Sequence, residues 1–176
     1  MSFQPDNMAL REINEQDIDT LMELTGNPDV IKYLPGMIQD RKYAEKWIEG
    51  LTSDDHEYMI LHGDTIIGEC SLTVRNNSGE IGLMLFPEHW RHGYGTETVI
   101  LLMNMAKELR LQEVTAVTSP KNEACIGLLR KLGFTSQAIG WMLNEGDLDK
   151  DLDQLFSTIV FQKEIQQGEE SNAKRV

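Results

Sequence analysis

Cysteine is scarce in this chain: Cys70 and Cys125 are the only two among 176 residues. Their spacing matches no metal motif, so a disulfide framework and a zinc module are both excluded and a reducing compartment is expected. No apolar run approaches the ~20 residues that a membrane-spanning helix needs. The opening Met1-Ser2-Phe3-Gln4-Pro5-Asp6 lacks a basic region followed by an apolar one, so the expectation is a cytoplasmic protein with no membrane partner. Basic residues are also few, 16 Lys and Arg against 29 Asp and Glu, which leaves a formal net charge of −13. Phosphate contacts require a basic face, so nucleic acid is excluded as a general ligand. Cationic partners fit this charge, and so does acidity that serves solubility alone.

What remains is ordinary globular material. Hydrophobic residues make up 40%, too many for a disordered chain, and the length suits one domain with a sizeable core. There is no internal repeat or interior linker. We expect a single domain over residues 1–165 and a polar tail from Gln166 to Val176 that frays.

Punctuation and periodicity give the elements. Asn14, with Asp17 three residues on, starts a helix whose apolar face is Ile18, Leu21 and Met22, and Gly26 and Pro28 stop it. Asp40 caps a second helix with Ala44, Trp47, Ile48 and Leu51 on one face, and Gly50 marks its end. Tyr58 to Leu61, Ile66 to Val74 and Glu80 to Phe86 read as an antiparallel meander, with turns at His62 to Asp64 and Arg75 to Gly79. Helix then alternates with strand: Val99, Leu102, Met103, Ala106 and Leu109 lie at helical spacing, Val114 to Val117 is a strand and Ala124 to Leu132 a helix. Two strands follow, around Phe134 to Leu143 and Leu155 to Phe161. This order predicts an α/β (α+β) fold, a mixed, mostly antiparallel sheet with helices on both faces.

Between the meander and the long helix lies Trp90-Arg91-His92-Gly93-Tyr94-Gly95-Thr96-Glu97. A strand that crosses two glycines into a helix start builds an anion site, because the first N–H groups of a helix lack intrahelical partners and the peptide dipoles add partial positive charge. A tight turn that needs positive φ would show the same glycines. The spacing fits neither a P-loop, which ends in Gly-Lys-Ser/Thr, nor a dinucleotide fingerprint, which has a third glycine.

That octapeptide resembles the acyl-CoA pyrophosphate loop of the GNAT superfamily of N-acyltransferases, in the form found in its RimJ/RimL-like, ribosomal-protein branch. The stretch Asn122-Glu123-Ala124-Cys125 through Leu132-Gly133-Phe134 is similar to that branch's second motif, and Leu10-Arg11-Glu12-Ile13 through Asn27-Pro28-Asp29 to Leu34 fits its opening. The resemblance spans nearly the whole chain. It implies an acetyl-CoA-dependent N-acetyltransferase with a splay between the fourth and fifth strands, pantetheine along the backbone of Leu83, Met84 and Leu85, and pyrophosphate against Arg91, His92, Gly93, Tyr94, Gly95 and Thr96. It places Asn122 near the pantetheine arm or the thiol. A catalytically weak acyl-CoA-binding module is the alternative, and the resemblance allows a homodimer.

Attack of an amine on a thioester requires the neutral amine, whose conjugate acid has a pKa near ~10.4 for a lysine-like group, so a proton must be removed. Glu80 is the first candidate: it begins the fourth strand, and alternation puts Glu80, Gly82 and Met84 on one face, where the small Gly82 leaves room for an acceptor. Glu69, on the adjacent strand, is second. Either carboxylate also fits a plain exposed strand end, and Glu97 fits complementing the helix dipole. The leaving thiolate wants a proton, and the family supplies it from a Tyr seven residues after the Asn or a Ser three residues after it. Here Leu129 and Cys125 stand at those positions. Cys125 is thus a candidate acid, weaker as a donor than a hydroxyl, and equally a small core residue. His89 and His92 lack a matched third ligand, so no metal is expected. The acidic run from Glu145 to Asp153, between the last two strands, would attract a cationic amine or serve only as a solvated turn.

Overall fold

The computed structural model describes residues 7–34, 40–142 and 156–166; the acidic run from Glu145 to Asp153 and residues 167–176 of the tail lie outside them. Seven strands form one sheet: β1 (Met8–Glu12), β2 (Asp55–His62), β3 (Thr65–Arg75), β4 (Ser78–Leu85), β5 (Glu113–Thr118), β6 (Thr135–Met142) and β7 (Phe156–Glu164). Their order is β1-β2-β3-β4-β5-β7-β6, antiparallel throughout except for the parallel β4–β5 pair. A parallel neighbour requires a crossover, and the long helix after β4 supplies it. β7 runs back between β5 and β6, with Phe161 fully buried opposite Ala116.

The meander is tighter than the residue pattern suggests. Asn76 and Asn77 both have positive φ, 48° and 68°, and Arg75 already pairs with Ser78. The turn is therefore two residues long rather than the five expected, since Asn tolerates the left-handed region that such a turn requires. β1 was not legible as a strand. Met-Ala-Leu-Arg-Glu carries no β-branched residue, and its extended form rests on pairing along β2 at the sheet edge.

The helices begin where polar residues cap them. Asn14 and Asp17 form the expected reciprocal cap, but over a 3₁₀ turn, Glu15–Asp17, that runs into α1 (Ile18–Gly26). Pro28 does not simply stop the chain. Asn27 accepts from the N–H of Asp29, and Pro28 opens the short α2 (Pro28–Ile31), where its missing N–H costs nothing. Asp40 caps α3 (Arg41–Glu49) through the N–H of Tyr43 at 2.8 Å, and Gly50 ends it with φ −85°, so no left-handed residue is involved. α4 (Tyr94–Glu108) and α5 (Glu123–Lys131) follow the two sequence motifs.

The main core lies on one face of the sheet. Ile60, Cys70, Leu72 and Ile81 from the strands pack there with Val99, Leu102 and Ala106 of α4 and Leu129 of α5. The other face carries Arg11, Met59, Glu69 and Met84 in one row across β1 to β4. α1 starts over this second face, because Asp17 grips Arg11 with two hydrogen bonds, 2.6 and 3.0 Å. Among the described residues, no helix is long and apolar enough to cross a membrane.

Candidate active site

β4 and β5 pair only from Ser78–Glu113 to Ile81–Ala116; beyond that, β4 continues along β3 and β5 along β7. The expected splay is therefore present and begins at Gly82. Backbone polar groups alternate sides along a strand. The Phe86 N–H donates to Ile67 O on β3 at 3.0 Å, and a Cβ on Gly68 of β3 would collide with Met84 O. Met84 is thus turned toward β3, and Leu83 and Leu85 present their N–H and C=O toward the opening. Of those groups, Leu85 O accepts from the Trp90 indole N–H at 2.7 Å. That bond ties the loop to the strand end.

The loop reaches α4 through two left-handed residues. Arg91 has φ 60° and Gly93, the residue before the helix, has φ 89°. An Arg in that region is strained by about 1–2 kcal/mol, which the loop holds at the point where the anion site is expected. No side chain caps α4, while the N–H groups of Thr96 and Glu97 both turn to Gly93 O at 3.0 and 3.2 Å. No side chain therefore competes for an anion at this helix start. Gly95 has a different task from Gly93: a Cβ there would lie 3.1 Å from Leu128 Cδ1 and 3.9 Å from Leu83 Cδ1, so it serves the close packing of α4 on α5 and β4. Tyr94 stands amid three histidines. Its ring lies 5.0 Å from that of His62 and 6.0 Å from those of His89 and His92, and its hydroxyl is 3.4 Å from His62 Nδ1. His62, at the end of β2, was not singled out by sequence; its Nε2 is buried without a partner.

Across the opening, the tip of β5 leads to α5. Asn122 is the N-cap of α5 and accepts from the Cys125 N–H at 3.2 Å, which commits its amide oxygen to the helix. Its amide nitrogen remains a donor. Burial pushes the Cys125 thiol above its ordinary range, with a bond to Thr118 acting the other way. The thiol is therefore protonated at neutral pH, as a donor must be. Leu129 is buried in the core.

On the second face, Glu80, Gly82 and Met84 share a side, as alternation predicts. Glu80 and Gly82 are exposed, and Glu80 sits opposite Thr73 of β3 and Thr115 of β5, just before the strands part. Glu69 is 6% exposed, which rules out a bare strand-end carboxylate. Burial raises its carboxyl well above the ordinary range, and Glu57 beside it adds to the shift. Glu57 is itself raised to about 7, first by burial and also by Asp55, while its hydrogen bond with Glu69 lowers it. Sequence reasoning passed over Glu57. The usable signal was a Glu at alternate spacing from apolar Met59 in a strand with a buried face.

Among the described residues no group of three or more His, Cys, Asp or Glu is placed to hold a metal ion. The family model described as an acetyltransferase (GNAT) domain matches residues 7–135. A Bacillus subtilis (strain 168) protein described as the uncharacterized N-acetyltransferase YoaA is 27% identical over 155 residues, covering 78% of this chain and 84% of that protein. Among solved structures, spermidine N-acetyltransferase from Vibrio cholerae, in complex with CoA and spermine, superposes with a TM-score of 0.79 at 14% identity, over 92% of this chain and 98% of that one. RimL, a ribosomal-protein alpha-N-acetyltransferase in complex with coenzyme A, reaches 0.74 at 17% identity, over 90% and 94%.

Proposed function

The chain belongs to the GNAT acetyltransferase family and is an N-acetyltransferase, and we propose that it transfers acetyl from acetyl-CoA to a primary amine by direct attack. The acceptor is a protein N-terminus or a small cationic amine, and the cell compartment is the cytoplasm. One observation carries the reading: an opening between β4 and β5 that ends at an uncapped helix start behind two left-handed residues. Pyrophosphate oxygens at Arg91 to Thr96 would meet backbone N–H groups and the helix dipole, Thr96 contributing its hydroxyl, since its N–H turns to Gly93 O. Pantetheine would lie along the backbone of Leu83 to Leu85, extending the sheet as an added strand does. Met84 takes part by position, its polar groups being turned to β3.

The chemistry then falls to few groups. Glu80, exposed beside Gly82, holds the acceptor amine against the thioester. Cys125 gives the departing thiolate a proton, and Asn122 donates from its amide nitrogen to the pantetheine arm. The RimJ/RimL-like branch is supported by Trp90 and by the Asn122 to Phe134 motif, and a cationic acceptor by the net charge of −13. Leu129 and Cys125, in place of the Tyr and Ser, favour the second reading, a catalytically weak acyl-CoA-binding module.

Release of free thiol from acetyl-CoA with a panel of amines separates the two. Turnover with polyamines or basic peptides, weakening as salt rises past the ~8 Å Debye length of physiological buffer, is the expected outcome. Binding without thiol release would leave the module. For the loop, calorimetry should find acetyl-CoA affinity reduced more by Gly93→Val than by Arg91→Ala. Unchanged binding in a folded Gly93→Val protein would remove the pyrophosphate assignment.

A further inference from the structure

Glu57, Ser71 and Gly82 form a row across β2, β3 and β4, each opposite the next. Side chains directly opposite in an antiparallel pair have Cβ atoms about 4.5–5.5 Å apart, a spacing that a Glu carboxylate and a Ser hydroxyl can bridge when the serine rotamer turns toward β2. In this structure the Ser71 hydroxyl leans toward β4: its Oγ lies 2.9 Å from where a Cβ on Gly82 would be, so passing a proton to Glu57 takes a rotation of that hydroxyl. The hydroxyl thus occupies the space that the missing side chain leaves, at the point where the strands part. Behind the row, Glu69 is buried on the same face, diagonal to Glu57.

We propose that Glu57, backed by Glu69 and connected through Ser71 to the space over Gly82, receives the proton of the acceptor amine. The inference rests on the acetyl-transfer reading above and names its proton acceptor. Proton and bond changes balance. The ammonium loses one proton through the Ser71 hydroxyl to the Glu57 carboxylate; the neutral amine attacks the thioester carbon, the N–C bond forms and the C–S bond breaks. Cys125 protonates the departing thiolate and is restored by the second amine proton, and Glu57 returns its proton to solvent. A base works best when its pKa lies near the working pH, and burial holds Glu57 at about 7. Glu69, held neutral by deeper burial, donates to Glu57 and acts as a positioning residue. The other charged groups on this face are Arg11, which is engaged by Asp17, Asp55, which is engaged by Thr52 and Arg75, Glu80, and, farther across the sheet on β5 and β7, Glu113, which accepts from Ser78 and Gln162, and Glu164. Among these only Asp55 acts on Glu57, raising it.

The test is kcat/KM against pH for the full chain with acetyl-CoA and its best amine, with acetyl-CoA binding as the check on folding. Glu57→Gln should lower kcat/KM by roughly 10²-fold or more and remove the acid limb near pH 7, with acetyl-CoA affinity kept. Glu69→Gln keeps a donor and should keep the limb; Glu69→Leu removes it and should move the limb upward. Ser71→Ala should slow turnover with the limb in place. A Glu57→Gln enzyme with the parent's rate and limb overturns the proposal, as does a limb indifferent to Glu69→Leu. If Glu57→Gln fails to bind acetyl-CoA, Glu57→Asp serves instead, with a moved limb expected and an unmoved one overturning. A parent that turns over no amine would sink the transfer reading, a result distinct from any of these.

Discussion

Cys125 stands where the family carries a hydroxyl, yet its surroundings keep it a donor. Its backbone N–H is fixed by Asn122, and its thiol is held protonated by burial near Thr118. Cys125→Ser should preserve or raise the rate, because a hydroxyl donates more strongly than a thiol. Cys125→Ala should be slower than either. Single-turnover thiol release compares the three, and equal rates would show that solvent protonates the thiolate. At this scale the sequence was only half legible. Gly93 could be read from the residues before the helix, and the positions of Asn122 and Cys125 from the resemblance to the family's second motif. The commitment of Asn122 to capping and of Gly95 to Leu128 could not, because both depend on how α5 lies against α4.

At the level of elements, the hairpin between β3 and β4 offers a clean test. Asn76 and Asn77 both adopt positive φ, and the two-residue turn they form prefers Asn-Gly. Asn77→Gly should raise stability by up to about 1 kcal/mol, and Asn77→Val should lower it by at least as much, since a β-branched residue resists that region. Denaturant midpoints measure both. The capped starts at Asn14 and Asp40, the meander and the helices at the two motifs were legible because local chemistry decides them. β1 was not, nor was the length of the Asn76-Asn77 turn. An edge strand without β-branched residues exists by virtue of its neighbour, and a turn's length is fixed by strand register, which composition does not encode.

For the whole molecule, two groups of opposite sign set how stability varies with pH. Glu57 and Glu69 have folded-state pKa values raised by burial, so the folded chain holds their protons more tightly than the unfolded one. The stability they contribute is complete below the unfolded value near ~4.3 and is lost as pH rises through about 7 for Glu57. Asp17 runs the other way. Burial alone would raise it, but the bonds from Arg11 and Asn14 hold it below the ordinary range, so its contribution is present at neutral pH and lost in acid. Thermal melts should therefore show the midpoint falling from pH 5 to pH 8, and Glu57→Gln should flatten that fall. The gain at pH 8 should be on the order of 2 kcal/mol, or several degrees for a chain of this size. A melt that rises over that range in the parent would contradict the assignment of a buried proton.

The placement of β7 between β5 and β6 also dictates the order in which the fold can close during synthesis. The chain emerges with β1 to β5 already able to assemble, since those five strands pair among themselves. Until residues 156–164 leave the ribosome, however, the outer side of β5 has a row of N–H and C=O groups with nothing to bond, the kind of template on which nascent chains stick to one another. Residues 113–118 therefore wait for a partner made some forty positions later, with Val114 and Ala116, both buried in the finished fold, among those waiting. This nascent protein is most exposed to misassembly in the interval between the two segments, after residues 90–96 have been made and before its sheet is complete.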